Sequence, residues 1–188
     1  MAAVNFYIDT EFNERGGNFP IDFISIGIVR ADGATYYAVS REIDFAALND
    51  WVKQHVMPNV SPDPNEWVRL SLNPNTPVSG VWKTKVQIKQ DILAFVGDAT
   101  PVFIANFADY DHVVLCQLFG AMVDLPAGWP MWTYDVRQLS ADYGNPRWPV
   151  EDDDKHNALG DSLRLKQNVE WLKDYIKKNP DKYKPYIF

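Results

Sequence analysis

Three strand-like segments follow one another at the start of this chain with little but turns between them: NFYIDTEF (5–12), DFISIGIVRADG (22–33) and ATYYAVSREI (34–43). Each is rich in β-branched and aromatic residues, and the Ala31-Asp32-Gly33 step carries hairpin-turn chemistry. From residue 44 onward the pattern changes to an alternation. DFAALNDWVKQHV (44–56) has helical spacing with Asp44 placed to cap it, and SGVWKTKVQIKQDILAFVGD (79–98) is a second amphipathic helix. PVFIANF (101–107) is the short apolar run of a buried strand, and YDHVVLCQLFGAMV (110–123) is a helix. MWTYDVRQLSADYG (131–144) gives a short strand and a short helix. HNALGDSLRLKQNVEWLKDYIKK (156–178) is a long last helix, with Leu159, Leu163, Val169, Leu172 and Ile176 near helical spacing. A meander followed by alternation predicts an α/β fold, a central mixed β-sheet flanked by α-helices.

The chain of 188 residues is sized for one domain spanning 1–188. Residues 57–80 interrupt the regular pattern with five prolines, Pro58, Pro62, Pro64, Pro74 and Pro77. This stretch reads as a long ordered loop or arm, because Trp67, Val68, Leu70 and Leu72 need burial; such a loop is functional or makes an oligomer contact. Cys116 is the only cysteine, so no internal disulfide forms, and its apolar helical setting marks a buried, inert thiol. No segment has the length of a membrane span, and the N-terminus lacks the basic region and apolar core of a signal peptide, so a cytoplasmic protein is expected. The net charge of −7 argues against a non-specific clamp on duplex nucleic acid, which needs a basic stripe. It is compatible with an enzyme that handles a short stretch of one strand.

Within the first strand, FYIDTEF places Asp9 and Glu11 two residues apart, hence on one face, where like charges repel. A hard divalent cation between them removes the conflict; a strand end entering a polar loop is the plainer alternative. Two further places can bring carboxylates near this pair. ANFADYDHVVL ends a buried strand and begins a helix, so Asp109 or Asp111 stands at the strand's carboxyl end, where open α/β sheets place ligands; either could simply cap the helix. In KHNALGDSLRL, His156 and Asp161 are five apart. If the helix starts at Asn157 or Ala158, His156 lies on the incoming loop and Asp161 is fixed on the helix. A mobile imidazole beside a rigid ligand suits a general base.

Asp-x-Glu on an N-terminal strand, Asn106-x-x-x-Tyr110-Asp111 and His156-x-x-x-x-Asp161 occur in the order that resembles the DEDD superfamily of ribonuclease H-like 3′→5′ exonucleases, in its histidine-bearing branch. The tyrosine-bearing branch has Tyr four residues before the last Asp, and Asn157 stands there. FYIDTEF, YDHVVLCQLFG, the proline-rich arm with VWKTKVQIKQDIL, and the run from HNALGD into WL look closest to the ribonuclease AS group of polyadenylate-specific 3′-exoribonucleases. The resemblance implies a ribonuclease H-like fold and metal ligands Asp9, Glu11, Asp111 and Asp161, with Asp111 chosen over Asp109 because Asn106 and Tyr110 fill the motif. It implies two divalent ions, Mg²⁺ or Mn²⁺, and His156 as the general base. The expected partner is the 3′ end of single-stranded RNA, and the expected assembly is a homodimer.

With those roles, Asp9 bridges the ions, Glu11 and Asp161 complete one site, and Asp111 serves the other through water. Sequence-tolerant grip on a single strand comes from base stacking on aromatic rings. Phe12, Phe107 and, more weakly, Trp148 are the candidates. The acidic run Glu151–Asp154 reads as a solvated loop without a catalytic role. The rivals are a DNA exonuclease or oligonucleotide phosphodiesterase of the same fold, and a non-catalytic binding module. All four acids and the histidine are in place, which speaks against the module.

Overall fold

The computed structural model describes residues 3–17, 21–151 and 156–185. Strands β1 (Ala3–Asn13), β2 (Asp22–Arg30) and β3 (Thr35–Ser40) form the expected antiparallel meander, and Ala31–Gly33 makes the β2–β3 turn with Gly33 at φ 92°. Helix α1 (Asp50–His55), a 3-10 turn (Met57–Asn59) and helix α2 (Glu66–Leu72) lead to the short strand β4 (Trp82–Lys83). Helix α3 (Lys85–Val96), strand β5 (Thr100–Ala105) and helix α4 (Ala108–Phe119) follow. A 3-10 turn (Met122–Asp124), strand β6 (Tyr134–Asp135), α5 (Val136–Asp142), α6 (Ala158–Lys178) and a 3-10 turn (Pro180–Lys182) complete the order. The six strands form one mixed sheet in the order β4-β3-β2-β1-β5-β6, with β4, β5 and β6 each parallel to a neighbour.

Strand alternation sorts the core onto two faces. Phe6, Ile8, Ile26, Ile28, Ala38 and Phe103 point to one side, where Ile88 and Ile92 of α3 and Val114 and Leu115 of α4 cover them. Tyr7, Val29 and Ile104 point to the other, under Leu165, Val169 and Leu172 of α6. Beside α6 on that second face, Val39, Val52, Val56, Met57, Val60, Leu70 and Trp82 make a separate cluster beneath the arm. The register of β1 on β2 shifts after Glu11, which pairs with Ser25, while Phe12 pairs with Phe23; Ile24 is the extra residue and joins the arm cluster. A bulge next to the acid pair re-aims side chains where β1 emerges from the sheet.

Several boundaries differ from the sequence expectation. Helix α1 begins at Asp50, capped by Asn49, whose side chain accepts from Val52 N at 2.8 Å. Asp44 instead faces Arg15. Trp82 and Lys83, read as helical, pair with Val39 and Ser40, and α3 starts after Thr84 in a reciprocal cap with Gln87. The stretch read as a loop or arm contains a 3-10 turn and helix α2, and Val68 and Leu72 are exposed, at 38% and 82%. Its segment is helical, so residues two apart fall on opposite sides, and α2 turns Glu66 and Leu70 inward. Cys116 is buried, and burial pushes its thiol up. Among the described residues no helix is long and apolar enough to cross a membrane. Asp152–Asp154 lie outside the described residues.

Glu66 ties the arm together. Its carboxylate accepts from Ser79 N (2.6 Å), Ser79 Oγ (2.7 Å) and Trp82 Nε1 (2.8 Å). Burial alone would raise this carboxyl, but the donors outweigh it and hold it below its usual value. A depressed folded pKa contributes stability above the unfolded value near ~4.3, lost as pH falls through the folded one. Glu66→Ala should therefore cost about 2–4 kcal/mol at neutral pH, and the gap from wild type should close in acid. Urea unfolding at pH 7 and pH 3 reads both; an equal gap at the two pH values would mean that the charge contributes nothing.

Candidate active site

Asp9 and Glu11 leave β1 on the face that α6 covers. Asp9 is paired with Gly27 of β2, and Gly27 is what lets the helix approach: a Cβ there would lie 2.2 Å from the carbonyl oxygen of Ala158, the first residue of α6. Ser162 Oγ donates to Gly27 O at 2.9 Å and fixes the contact. Asp161 thereby comes over the acid pair, and one carboxylate oxygen from each of Asp9, Glu11 and Asp161 lies within 4.8 Å of the others. Asn157 caps α6 through Gly160 N and is held in turn by Asn59 O and the Tyr37 hydroxyl, while Asn157 N donates to Asp161 Oδ2 at 3.1 Å. The helix starts at Ala158, so His156 stands on the incoming loop. Its ring meets the edge of Trp51 at 4.8 Å, and Trp51 stacks on His55 at 5.0 Å.

Asp111 approaches from the opposite side of the sheet. It is buried in the first turn of α4, and Thr10, between the two acids, donates to its Oδ1 at 2.7 Å. Burial pushes the Asp111 carboxyl up to about 7, with hydrogen bonds from Thr10 opposing and nearby Asp135 adding to the rise. Asp109 is exposed. Asp9 is held well above the usual carboxylate range, by burial first and then by Asp111, Glu11 and Asp161; Arg164 works against them. Burial and repulsion disfavour the charge on Asp9, and burial that on Asp111, so a cation held by Asp9, Glu11 and Asp161 would stabilise the site. An all-oxygen donor set fits a hard divalent ion.

Asp9, Glu11 and Asp161 open into a cleft of about 560 Å³, lined also by His156, Asn106, Arg137, Trp148, Arg164 and Asn168; Asp111 stays behind Thr10 and does not line it. Helix α6 contributes Asp161, Arg164, Leu165 and Asn168, the i, i+3, i+4, i+7 stripe of one helix face. Arg164 is ion-paired with Asp161. Asn168 Nδ2 and Oδ1 bond both backbone groups of Val150 and pin the segment carrying Trp148. Of the aromatic candidates, Trp148 lines the cleft, and Phe107, which does not, packs on the lining residue Arg137. Phe12 does not reach it: three residues after Asp9 it is on the other sheet face, stacked on Tyr110 at 5.0 Å. Sequence reasoning missed Thr10, Trp51, Arg137, Arg164 and Asn168. Only Arg164 and Asn168, at helical spacing from Asp161, left a legible signal.

The site thus sets two acids of one strand, a helix acid behind Thr10, and an acid of the last helix beside a loop histidine. Among solved structures, the zinc-bound E. coli ExoI–single-stranded DNA complex has a TM-score of 0.58 at 12% identity, covering 95% of this chain and 43% of that one, so the chain spans less than half of ExoI. The shared fold is the ribonuclease H-like exonuclease fold. A family model described as the 3′-5′ exoribonuclease Rv2179c-like domain matches residues 4–173, and the chain belongs to that family. Two curated proteins of Mycobacterium tuberculosis are each 39% identical to it over 162 residues, 85% of this chain and 87% of theirs: 3′-5′ exoribonuclease Rv2179c (strain ATCC 25618/H37Rv) and 3′-5′ exoribonuclease MT2234.1 (strain CDC 1551/Oshkosh). By that membership it is an enzyme, a 3′→5′ exoribonuclease.

Proposed function

We propose that this chain is a histidine-bearing DEDD enzyme that releases nucleoside 5′-monophosphates one at a time from the 3′ end of single-stranded RNA, A-rich tails foremost, using two Mg²⁺ or Mn²⁺ ions. The observation that carries the reading is the meeting of Asp9, Glu11 and Asp161, from a strand and a distant helix, in the cleft that His156 also lines. The A-rich preference rests on the likeness to the ribonuclease AS group, as does a homodimeric assembly, which light scattering on the eluting protein would read.

Bound divalent ions would supply positive charge to the phosphodiester and ease deprotonation of water. The protein's own residues do the rest. Asp9, Glu11 and Asp161 hold the charge in place, with Asp9 in the middle of the set. Asp111, behind Thr10, serves through water. His156 takes the proton of the attacking water from a loop held at one end by the Asn157 cap. Arg164, on Asp161, adds positive charge to the same side of the cleft.

Asp111→Asn should lower the rate by roughly 10²-fold, as loss of a group supporting a metal ligand does, and Asp109→Asn by less than about threefold. Initial rates across a Mn²⁺ titration test the pair; the reverse ranking would move the second motif to Asp109. The function itself is tested by a gel time course on 5′-labelled poly(A), mixed-sequence RNA and matching DNA, each with Mn²⁺, Mg²⁺ or EDTA. A metal-dependent ladder shortening from the 3′ end, fastest on poly(A), is expected. Equal or faster loss of DNA would overturn the substrate, and no cleavage with any metal would overturn the enzyme.

A further inference from the structure

One side of the cleft is built in a way that the four acids and the histidine do not explain. Among the described residues only two that are not glycine have left-handed backbone: Asn145 at φ 51°, which lines this side, and Phe107 at φ 59°, whose ring packs on Arg137. Backbone held in a sparsely populated region persists where its surroundings over-determine it, and such residues gather at ligand sites. Arg137 lines this side as well. Its guanidinium carbon lies 5.0 Å from the centre of the Phe107 ring and 4.4 Å from that of Trp148. Its Nε donates to Asn106 Oδ1 at 3.2 Å. The supports are themselves tied down: Trp148 Nε1 donates to Ser140 Oγ, Asn145 N to Ser140 O, and Asn168 clamps Val150.

With two rings packed on the guanidinium and Nε engaged, the terminal amino groups are the part of Arg137 left to meet a ligand in the cleft that it lines. A planar fork fixed in that way is matched to a phosphate rather than to a carbonyl or a hydroxyl. The carboxylates and Arg164 belong to the β1–α6 side, where the bond is cut. Arg137 belongs to the side made by α5 and residues 145–150.

We propose that Arg137, packed against Phe107 and Trp148, binds the phosphodiester adjoining the scissile one and so sets the register of the RNA strand. The proposal rests on the exoribonuclease reading of the cleft. The test compares wild type, Arg137→Ala and Arg137→Lys on a ten-nucleotide RNA and on a dinucleoside monophosphate, which carries only the scissile phosphodiester. For the alanine variant the loss in kcat/KM on the ten-mer should be about tenfold, mostly in KM, and at least threefold greater than the loss on the dinucleotide. The slope of log kcat/KM against log salt on the ten-mer should flatten by about 0.7, the share of one phosphate contact in a single strand, and lysine should restore the slope more than the rate. That slope compares one variant with itself, so a partly unfolded preparation does not alter it. Equal losses on the two substrates with the wild-type slope would reduce Arg137 to a prop for Trp148, and no loss on either would remove it from binding. A wild-type enzyme inactive on both RNAs would overturn the reading of the cleft instead.

Discussion

Asp9→Asn should cut RNA hydrolysis by about 10³-fold or more while raising the melting temperature of the metal-free protein. The two effects have one cause. Asp9 sits where burial, then Asp111, Glu11 and Asp161, all disfavour its charge, and its carboxyl is raised well above the usual range. The fold therefore holds that proton more tightly than the unfolded chain, in which the group titrates near ~3.9. The cost of ionising Asp9 begins as pH rises through the unfolded value and grows until Asp9 ionises in the fold. Asparagine keeps the shape and removes the cost, so with EDTA at pH 8 the variant should melt higher than wild type. Added Mn²⁺ should reverse the order, because a ligand that binds only the folded state stabilises the protein able to hold it. Melting curves with EDTA and with Mn²⁺, run beside rate measurements, decide it. A variant that melts lower in EDTA would show Asp9 to be compensated by Arg164 rather than strained by its neighbours, and a fully active one would remove Asp9 from the metal site.

The legible parts of this molecule are those encoded over short spans. The β2–β3 hairpin followed from Ala31–Gly33, and the placement of His156 outside the last helix followed from reading its start at Asn157 or Ala158; Asn157 caps the helix, which begins at Ala158. The acid pair's common face followed from strand period, and the same period sends Phe12 away from it, so its adjacency to Glu11 in sequence misled. β4 was hidden because a two-residue parallel pairing with β3 leaves no periodicity of its own. Asp44 and Asn49 are both good caps; Asn49 prevails as its backbone N–H is also taken by buried Asn13 at 3.0 Å, a contact 36 residues back in the chain. Arg137 reaches the cleft, and Trp51 reaches His156, from elements that no spacing rule connects to the acids. Gly27 is the reverse case: nothing local marks it, yet the fit of α6 and the position of Asp161 depend on its missing Cβ.

Removal of the imidazole should be the second large effect. His156→Ala is expected to lower kcat by roughly 10²–10⁴-fold with KM changed less than about threefold, because a proton acceptor acts in the transition state and hardly on binding. The placement supports this division. His156 lines the cleft but is not one of the three acids that cluster for a cation, and its neighbours are the Asn157 cap and the edge of Trp51. Loss of a group so placed leaves the carboxylates and the substrate's grip intact. Trp51→Ala should produce a milder loss in kcat, since the imidazole that it touches is still present. Single-turnover rates on a labelled RNA separate the cases. An alanine variant with the wild-type rate would take His156 out of the chemistry and reduce its place in the cleft to packing against Trp51.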